Sequence, residues 1–197
     1  MQKELLKLLL LGVFTIMPHC LTAQDTQQSS FVLKSNLLSD VTTTMNLAGE
    51  VKLGNQFTLD ASFSYNPWTF SENKKLKHLR FQPELRYWAE SAYSGHFFGF
   101  HLGYMQYSTS GIKFPFTPLT DMKNSRYQGD AYGAGFSCGY VWRLSNRWNL
   151  EASLGVGYAY LDYDRYECKK CGEYIESGTA HYFGPTKAAL SLIYVIK

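Results

Sequence analysis

The pair Cys168 and Cys171 in "YECKKCGEY" is the densest group of reactive side chains in the sequence. With His181 downstream it offers three zinc ligands where a structural site needs four. No fourth ligand is evident, so no metal site is assigned. A redox C-x-x-C would open a helix beside a sheet, and this one lies between two strand-like segments. In an oxidising compartment the pair reads as a local disulfide that stiffens a loop. The other candidate chemistry is hydrolysis at a histidine. His101 sits mid-strand on a face of small polar residues, with Glu151 and Ser153 on strands that could neighbour it. A hydroxyl, an imidazole and a carboxylate together could transfer an acyl group. No spacing specifies such a set, and a lone histidine on a polar face is more often a hydrogen-bonded filler. His101 is thus the candidate for catalysis, set against a structural reading, and no cofactor is implied.

The elements that must position these residues are strands. After residue 30 the sequence has no convincing amphipathic helix. It has segments of period-two alternation split by turn signals. They fall at 31–38, 47–53, 57–65, 78–88, 96–107, 130–142, 148–160 and 182–196. "FTLDASFSY" (57–65) and "HLRFQPELRYW" (78–88) alternate most cleanly. The links also alternate. Those at 54–56, 89–95 and 143–147 are short, whereas 39–46, 66–77, 108–129 and 161–180 are longer. Eight antiparallel strands with short turns at one end and long loops at the other match the asymmetry of outer-membrane barrels.

Alternation alone leaves open which face is outside. Volume decides it. One set of faces carries Phe98, Phe100, Leu102, Tyr104, Tyr132, Phe136, Leu154, Val156 and Tyr158; the other carries Gly99, Gly103, Gly133, Gly135, Ser137, Gly139, Ser153, Gly155 and Gly157. The interior of an eight-stranded barrel is just wide enough for side chains to fill. It cannot hold all of those aromatics, so the apolar set faces outward to lipid and the small set faces in. The expected fold is an eight-stranded antiparallel up-and-down transmembrane β-barrel, of the kind seen in OmpA and OmpX, with a polar, filled lumen over residues 31–197.

The charges then fall inside. Lys34, Glu50, Lys52, Asp60, Arg80, Glu84, Arg86, Glu151 and Lys187 form the expected lumen network, paired because an unpaired buried ion is very costly. Trp68, Tyr87, Trp88, Trp142 and Trp148 lie at strand ends, where interfacial aromatics collect. Cys138 falls on the apolar face as a small lipid-facing residue. Only 18% of residues are charged, below the roughly 25% of soluble chains. The net charge of +3 is too small to imply nucleic acid. Lys3 and Lys7, the apolar run 8–17 and Ala23 predict a signal peptide over 1–23, followed by a flexible lead-in at 24–30. Cys20 raises a rival lipoprotein reading, but Met17, Pro18 and His19 suit that cleavage poorly.

The phrases "KSNLLSDVTTTMNLAGE", "YNPWTF", "QPELRYW", "RWNLEASLGVGYAY", "YDRYECKKCG" and "YFGPTKAALSLIY" resemble a domain-of-unknown-function family of Bacteroidetes-type Gram-negative bacteria. The resemblance covers nearly all of the chain after the leader. It implies an eight-stranded outer-membrane barrel. It also implies a role at the cell surface or in fimbrial assembly, because genes of that family often lie near those for fimbrillin-like subunits. It carries over no catalytic residue. The expected function is a monomeric structural or accessory surface protein of the outer membrane, in contact with lipid and lipopolysaccharide, whose outer loops meet a partner. The alternatives are a barrel enzyme that modifies lipid A and a small pore.

Overall fold

The period-two segments form strands and the strands close on themselves. The computed structural model describes residues 31–69, 75–111, 119, 125–167 and 172–196. Eight strands follow in order: β1 (Phe31–Asn36), β2 (Met45–Lys52), β3 (Phe57–Asn66), β4 (Lys75–Trp88), β5 (Gly95–Ser110), β6 (Ser125–Arg143), β7 (Trp148–Glu167) and β8 (Tyr174–Ile196). Each pairs antiparallel with the next. β8 then pairs with β1, Phe31 opposite Ile196 and Asn36 opposite Ser191, and the sheet becomes a closed barrel. The first residue of β1 and the last of β8 therefore share the end that carries the short turns.

One helical turn interrupts the pattern. Asn36 ends β1 and caps α1 (Leu37–Val41), its side chain accepting from the Leu38 N–H. The turn buries none of its residues, which is why no apolar period announces it. Asp40 then accepts from Asn46 Nδ2 at 2.7 Å and ties the turn to the start of β2.

The strands are unequal. β1, β2 and β3 have 6, 8 and 10 residues, whereas β6, β7 and β8 have 19, 20 and 23. The extra length lies at the long-loop end. Residues 125–129, 161–167 and 174–180, expected as links, are strand. Their sequences hide this because both faces there are polar or partly exposed, so alternation leaves no hydrophobic signature.

Facing is inverted relative to a water-soluble barrel. Phe136 and Leu154 are 69% and 65% exposed on the outer wall. Inside, Arg86 is 1% exposed and Glu50 is 0%. Along β5, Phe97, Gly99 and His101 point in, while Phe98, Phe100 and Leu102 point out. The lumen fills in three layers. Next to the short turns lies an apolar plug of Val32, Trp88, Phe97, Val141 and Ile193. A charged layer fills the middle. Toward the long loops Tyr107, Tyr127, Ala131 and Leu161 pack with Leu119, a residue of the 108–129 link.

The plug corrects one expectation. Tyr87 and Trp88 are adjacent on β4, so they must point to opposite faces. Tyr87 is outside, tilted against Phe57 with ring centroids 5.3 Å apart. Trp88 is fully buried in the plug, donating from Nε1 to Thr58 Oγ1 at 2.9 Å. It is not an interfacial aromatic.

Candidate functional site

The polar heart of the molecule is the middle layer of the lumen. The clean alternation of β4 sends Arg80, Gln82, Glu84 and Arg86 inward. Register brings Glu50 of β2 opposite Asp60 of β3, and Asp60 opposite Glu84. Arg86 is the hub. It donates from Nε to Glu84 Oε1 at 2.7 Å, from NH1 to Glu50 Oε2 at 3.0 Å, and to both oxygens of Glu151 at 2.9 and 3.1 Å. The last is the forked geometry that a guanidinium offers a carboxylate. Its far face lies over the Phe97 ring, 4.4 Å from the centroid, which joins the charged layer to the apolar plug.

Lys34 meets the same acids from β1. It pairs with Glu50, with Asp60 at 3.1 Å and with Glu151 at 2.8 Å. Lys187 pairs with Glu84 at 2.7 Å. Two expected members stand apart. Arg80 bonds Gln82 Oε1 at 2.5 Å and the Thr186 carbonyl at 2.7 Å rather than a carboxylate. Lys52, half-buried opposite Thr58, enters none of the ion pairs among the described residues. Its place beside Glu50 is taken by the Thr58 hydroxyl, which donates to Glu50 Oε1.

His101 lies in this layer, 1% exposed. Three inward glycines make its space. A Cβ on Gly135 would lie 2.8 Å from His101 Nε2, one on Gly155 3.1 Å from Cε1, and one on Gly99 2.8 Å from Glu84 Oε1. The neighbours are not the expected Glu151 or Ser153. His101 Nε2 meets Thr186 Oγ1 at 2.9 Å, and Nδ1 stands 3.7 Å from Glu84 Oε2, too far for a hydrogen bond.

Thr186 was not legible as a site residue. β8 carries a bulge: Gly155 pairs with Lys187 and Val156 with Pro185, leaving Thr186 without an opposite residue. The extra residue lets Thr186 and Lys187 both project inward, one to His101 and one to Glu84. Pro185 was the available signal, since a proline inside a strand sits at an edge or a bulge.

Hydroxyl, imidazole and carboxylate thus stand in the order of an acyl-transfer set. They are enclosed by the plug on one side and the Tyr107–Tyr127–Leu161 cluster on the other. The void among the charges is about 60 Å³, room for a couple of waters. Filler is what the surroundings of His101 fit.

Outside the lumen, aromatics gather at two levels. Near the short turns are Phe57 with Tyr87, Tyr140 with Trp142, and Trp148 with Tyr194. Near the long loops are Tyr104 with Tyr132, and Tyr158 and Tyr160 with His181. Trp68, also exposed, donates from Nε1 to the Thr43 carbonyl at 2.9 Å and holds the α1–β2 link. His181 is bound to Tyr158 through Nδ1 at 2.5 Å. Cys168 and Cys171 lie outside the described residues, as do the leader and the 24–30 segment. Cys138 is exposed on the outer wall. In the 89–94 turn Tyr93 Oη donates to the Glu50 carbonyl at 3.3 Å. Burial, helped by the Glu50 charge, holds that phenol above its ordinary pKa, so the donor stays protonated.

Above the upper aromatics, a cleft of about 480 Å³ opens among β3, β4, β5 and β6, lined by Tyr65, Lys77, Leu79, Gln106, Gln128 and Asp130.

The chain belongs to the family described as "Protein of unknown function (DUF3575)", whose model matches residues 10–196. No curated protein and no solved structure matches it.

Proposed function

We propose that this member of the family is an integral outer-membrane β-barrel, exported by residues 1–23, that serves as a structural or accessory surface protein and presents its long-loop end to a partner. The observation that carries the reading is the inversion of polarity. An outer wall of exposed Phe98, Phe100, Phe136, Leu154 and Val156 surrounds a lumen of buried Lys34, Glu50, Arg86 and Glu151. In water that arrangement exposes apolar area and buries charge, both unfavourable. In lipid the wall is matched to its solvent, and each strand pairs with the next, β8 closing on β1 over Ser191–Ile196. Aromatics at two levels suit two membrane interfaces.

The same geometry favours a filled anchor over a pore, because the plug closes the lumen and most of the charges beyond it pair with one another. It also favours a non-enzymatic role, because His101 faces neither lipid nor solvent. A link to fimbriae follows from the family resemblance and names one class of partner at the long-loop end.

A spin label on Cys138, with Cys168 and Cys171 replaced by serine, tests the reading in vesicles. Lipid exposure makes the label's relaxation respond to dissolved oxygen and not to a water-soluble nickel chelate. Relaxation by the chelate, or recovery of the protein from the soluble cell fraction, would sink the membrane assignment.

A further inference from the structure

The closure of the barrel leaves a strand's worth of backbone over. β8 has 23 residues, and β1 covers only Ser191–Ile196 of one edge. β7 covers the other edge up to Tyr174. Just above the closure, side chains substitute for the missing strand. Asn36 Nδ2 donates to the Ala188 carbonyl at 3.4 Å, and the Leu190 N–H donates to Asn36 Oδ1 at 3.1 Å. Tyr182 Oη donates to the Pro185 carbonyl at 3.0 Å. Farther along, no strand lies beside β8 among the described residues.

The direction of the free groups follows from strand chirality. Below the bulge at Thr186, the outward residues Ala188 and Leu190 turn their backbone toward β1. Above it the outward residues are Ser177, Thr179, His181 and Phe183. Their N–H and C=O groups therefore point into the vacant slot, while Gly178, Ala180, Tyr182 and Gly184 turn theirs to β7. The slot exists because Asn36 ends β1 and caps α1 instead of continuing up β8.

Of the guards that natural edges carry, this edge lacks lysines and short length, and its proline, Pro185, stands at the very end beside the bulge. Between the irregularities at Ile175 and Thr186 runs a regular stretch, Glu176–Pro185, with Glu176 its one formal charge. Phe183 is 81% exposed beside it. Ser177–Gly184 spans about 27 Å, enough for a full added strand.

We propose that the free edge of β8, Ser177–Gly184, is a docking site for an extended segment of another protein, which joins the sheet by strand addition. The inference rests on the membrane reading above, which puts this edge at the upper aromatic level, His181 being part of it, with Ser177–Ala180 beyond that level and in reach of partners. It names the partner's chemistry: an uncharged segment whose alternate residues are apolar, so that they pack outward against Phe183, His181 and Tyr158. The slot lies at the other end of the seam from Phe31, where β1 begins opposite Ile196. A second copy in the same membrane cannot fill it. The two-fold axis between two such barrels runs along the membrane normal, so their β8 strands would cross at twice the strand tilt, roughly 80°. No ladder forms at that angle.

The test uses the full chain folded in detergent micelles and a synthetic peptide of alternating valine and threonine as probe. Hydrogen exchange of the free protein is expected to be fast at residues 177, 179, 181 and 183 and slow at 178, 180, 182 and 184. Peptide should slow the first set at least tenfold and leave the second unchanged. Thr179→Pro removes an N–H that points into the slot, so it should weaken the peptide at least tenfold while the barrel still folds. No slowing by the peptide overturns the proposal, and the wild-type exchange pattern decides the matter even if Thr179→Pro misfolds. Protection that rises with protein concentration in the absence of peptide would also overturn it, in favour of self-pairing. Because the protein is in detergent, failure here leaves the membrane reading standing, and a failed spin-label test would not alter the exchange result.

Discussion

Replacing Arg86 with methionine should be among the most damaging single changes in the barrel. The guanidinium donates to Glu84, Glu50 and both oxygens of Glu151, and it lies within 3.6 Å of Asp60. Its loss leaves those four carboxylates to Lys34 and Lys187 alone. Removing one partner of a buried ion pair typically costs about 3–5 kcal/mol, since the other charge stays buried. At a urea slope of about 2 kcal/mol per molar, a loss of about 4 kcal/mol lowers the unfolding midpoint by roughly 2 M. Arg86→Lys keeps the charge but not the fork, so it should recover only part of the loss. Arg86→Met with Glu151→Gln should lose less than the sum of the two, by about 1–3 kcal/mol, because the double variant no longer strands that carboxylate. Unfolding in lipid vesicles followed by tryptophan fluorescence reads all five proteins, wild type and the single Glu151→Gln variant included, and the buried Trp88 beside Phe97 reports the lumen directly. A midpoint for Arg86→Met within about 0.5 M of wild type, or strict additivity in the cycle, would refute the network as a stabilising unit.

The remaining predictions address the lumen as well. Gly157→Ala would place a Cβ 2.3 Å from the Ala134 carbonyl oxygen, whereas Gly103→Ala meets nothing nearer than 4.0 Å. The first should cost about 1–3 kcal/mol and the second about 0.5 or less, by the same unfolding assay, and equal effects would show that the lumen is not packed as described. His101→Ala and Thr186→Val should leave the mass spectrum of lipid A from expressing cells unchanged, and a shifted lipid A species that depends on both residues would establish the enzyme instead. Wild-type protein should give no conductance steps in planar bilayers, because Val32, Trp88, Phe97, Val141 and Ile193 close one end. Trp88→Ala combined with Phe97→Ala should introduce steps, and steady conductance from the wild type would contradict the sealed lumen.

What the sequence revealed, and what it hid, divides along the height of the barrel. Where one face is an apolar outer wall and the other lines a packed lumen, the contrast is written residue by residue, as in "FTLDASFSY" and "HLRFQPELRYW". Strand count, facing and the charged layer were legible for that reason. Above the belt both faces of 161–167 and 174–180 are polar or partly exposed, so the pattern fades although the strands continue. Pairing partners were hidden for a different reason. Alternation says that Lys34, Glu84, Arg86 and Glu151 point inward, but register and shear decide who meets whom, and those arise from the whole ring. The bulge at Thr186 shifts that register by one residue and brings Thr186, not Glu151, to His101. Trp88 stands near a strand end, where interfacial aromatics collect, but the parity of β4 sends it inward to the plug.

The contrast between the two halves bears on the proposal that such a barrel adds a partner strand while its ring stays stable. Within the ring, strand pairs with strand and Lys34, Arg86 and Lys187 meet the inward carboxylates, so that part offers a partner little beyond its apolar outer wall. Recognition has to come from what the ring does not consume. Loops supply side chains, but a loop must be ordered on binding, and that entropy weakens the complex. A free strand edge is already ordered by β7, and its groups are spaced at the regular interval that an extended segment presents. The mismatch between a six-residue β1 and a 23-residue β8 converts unused backbone into a preorganised surface. Asn36 sets the boundary: it ends the strand that would have filled the slot, and its amide completes the ladder where the slot begins.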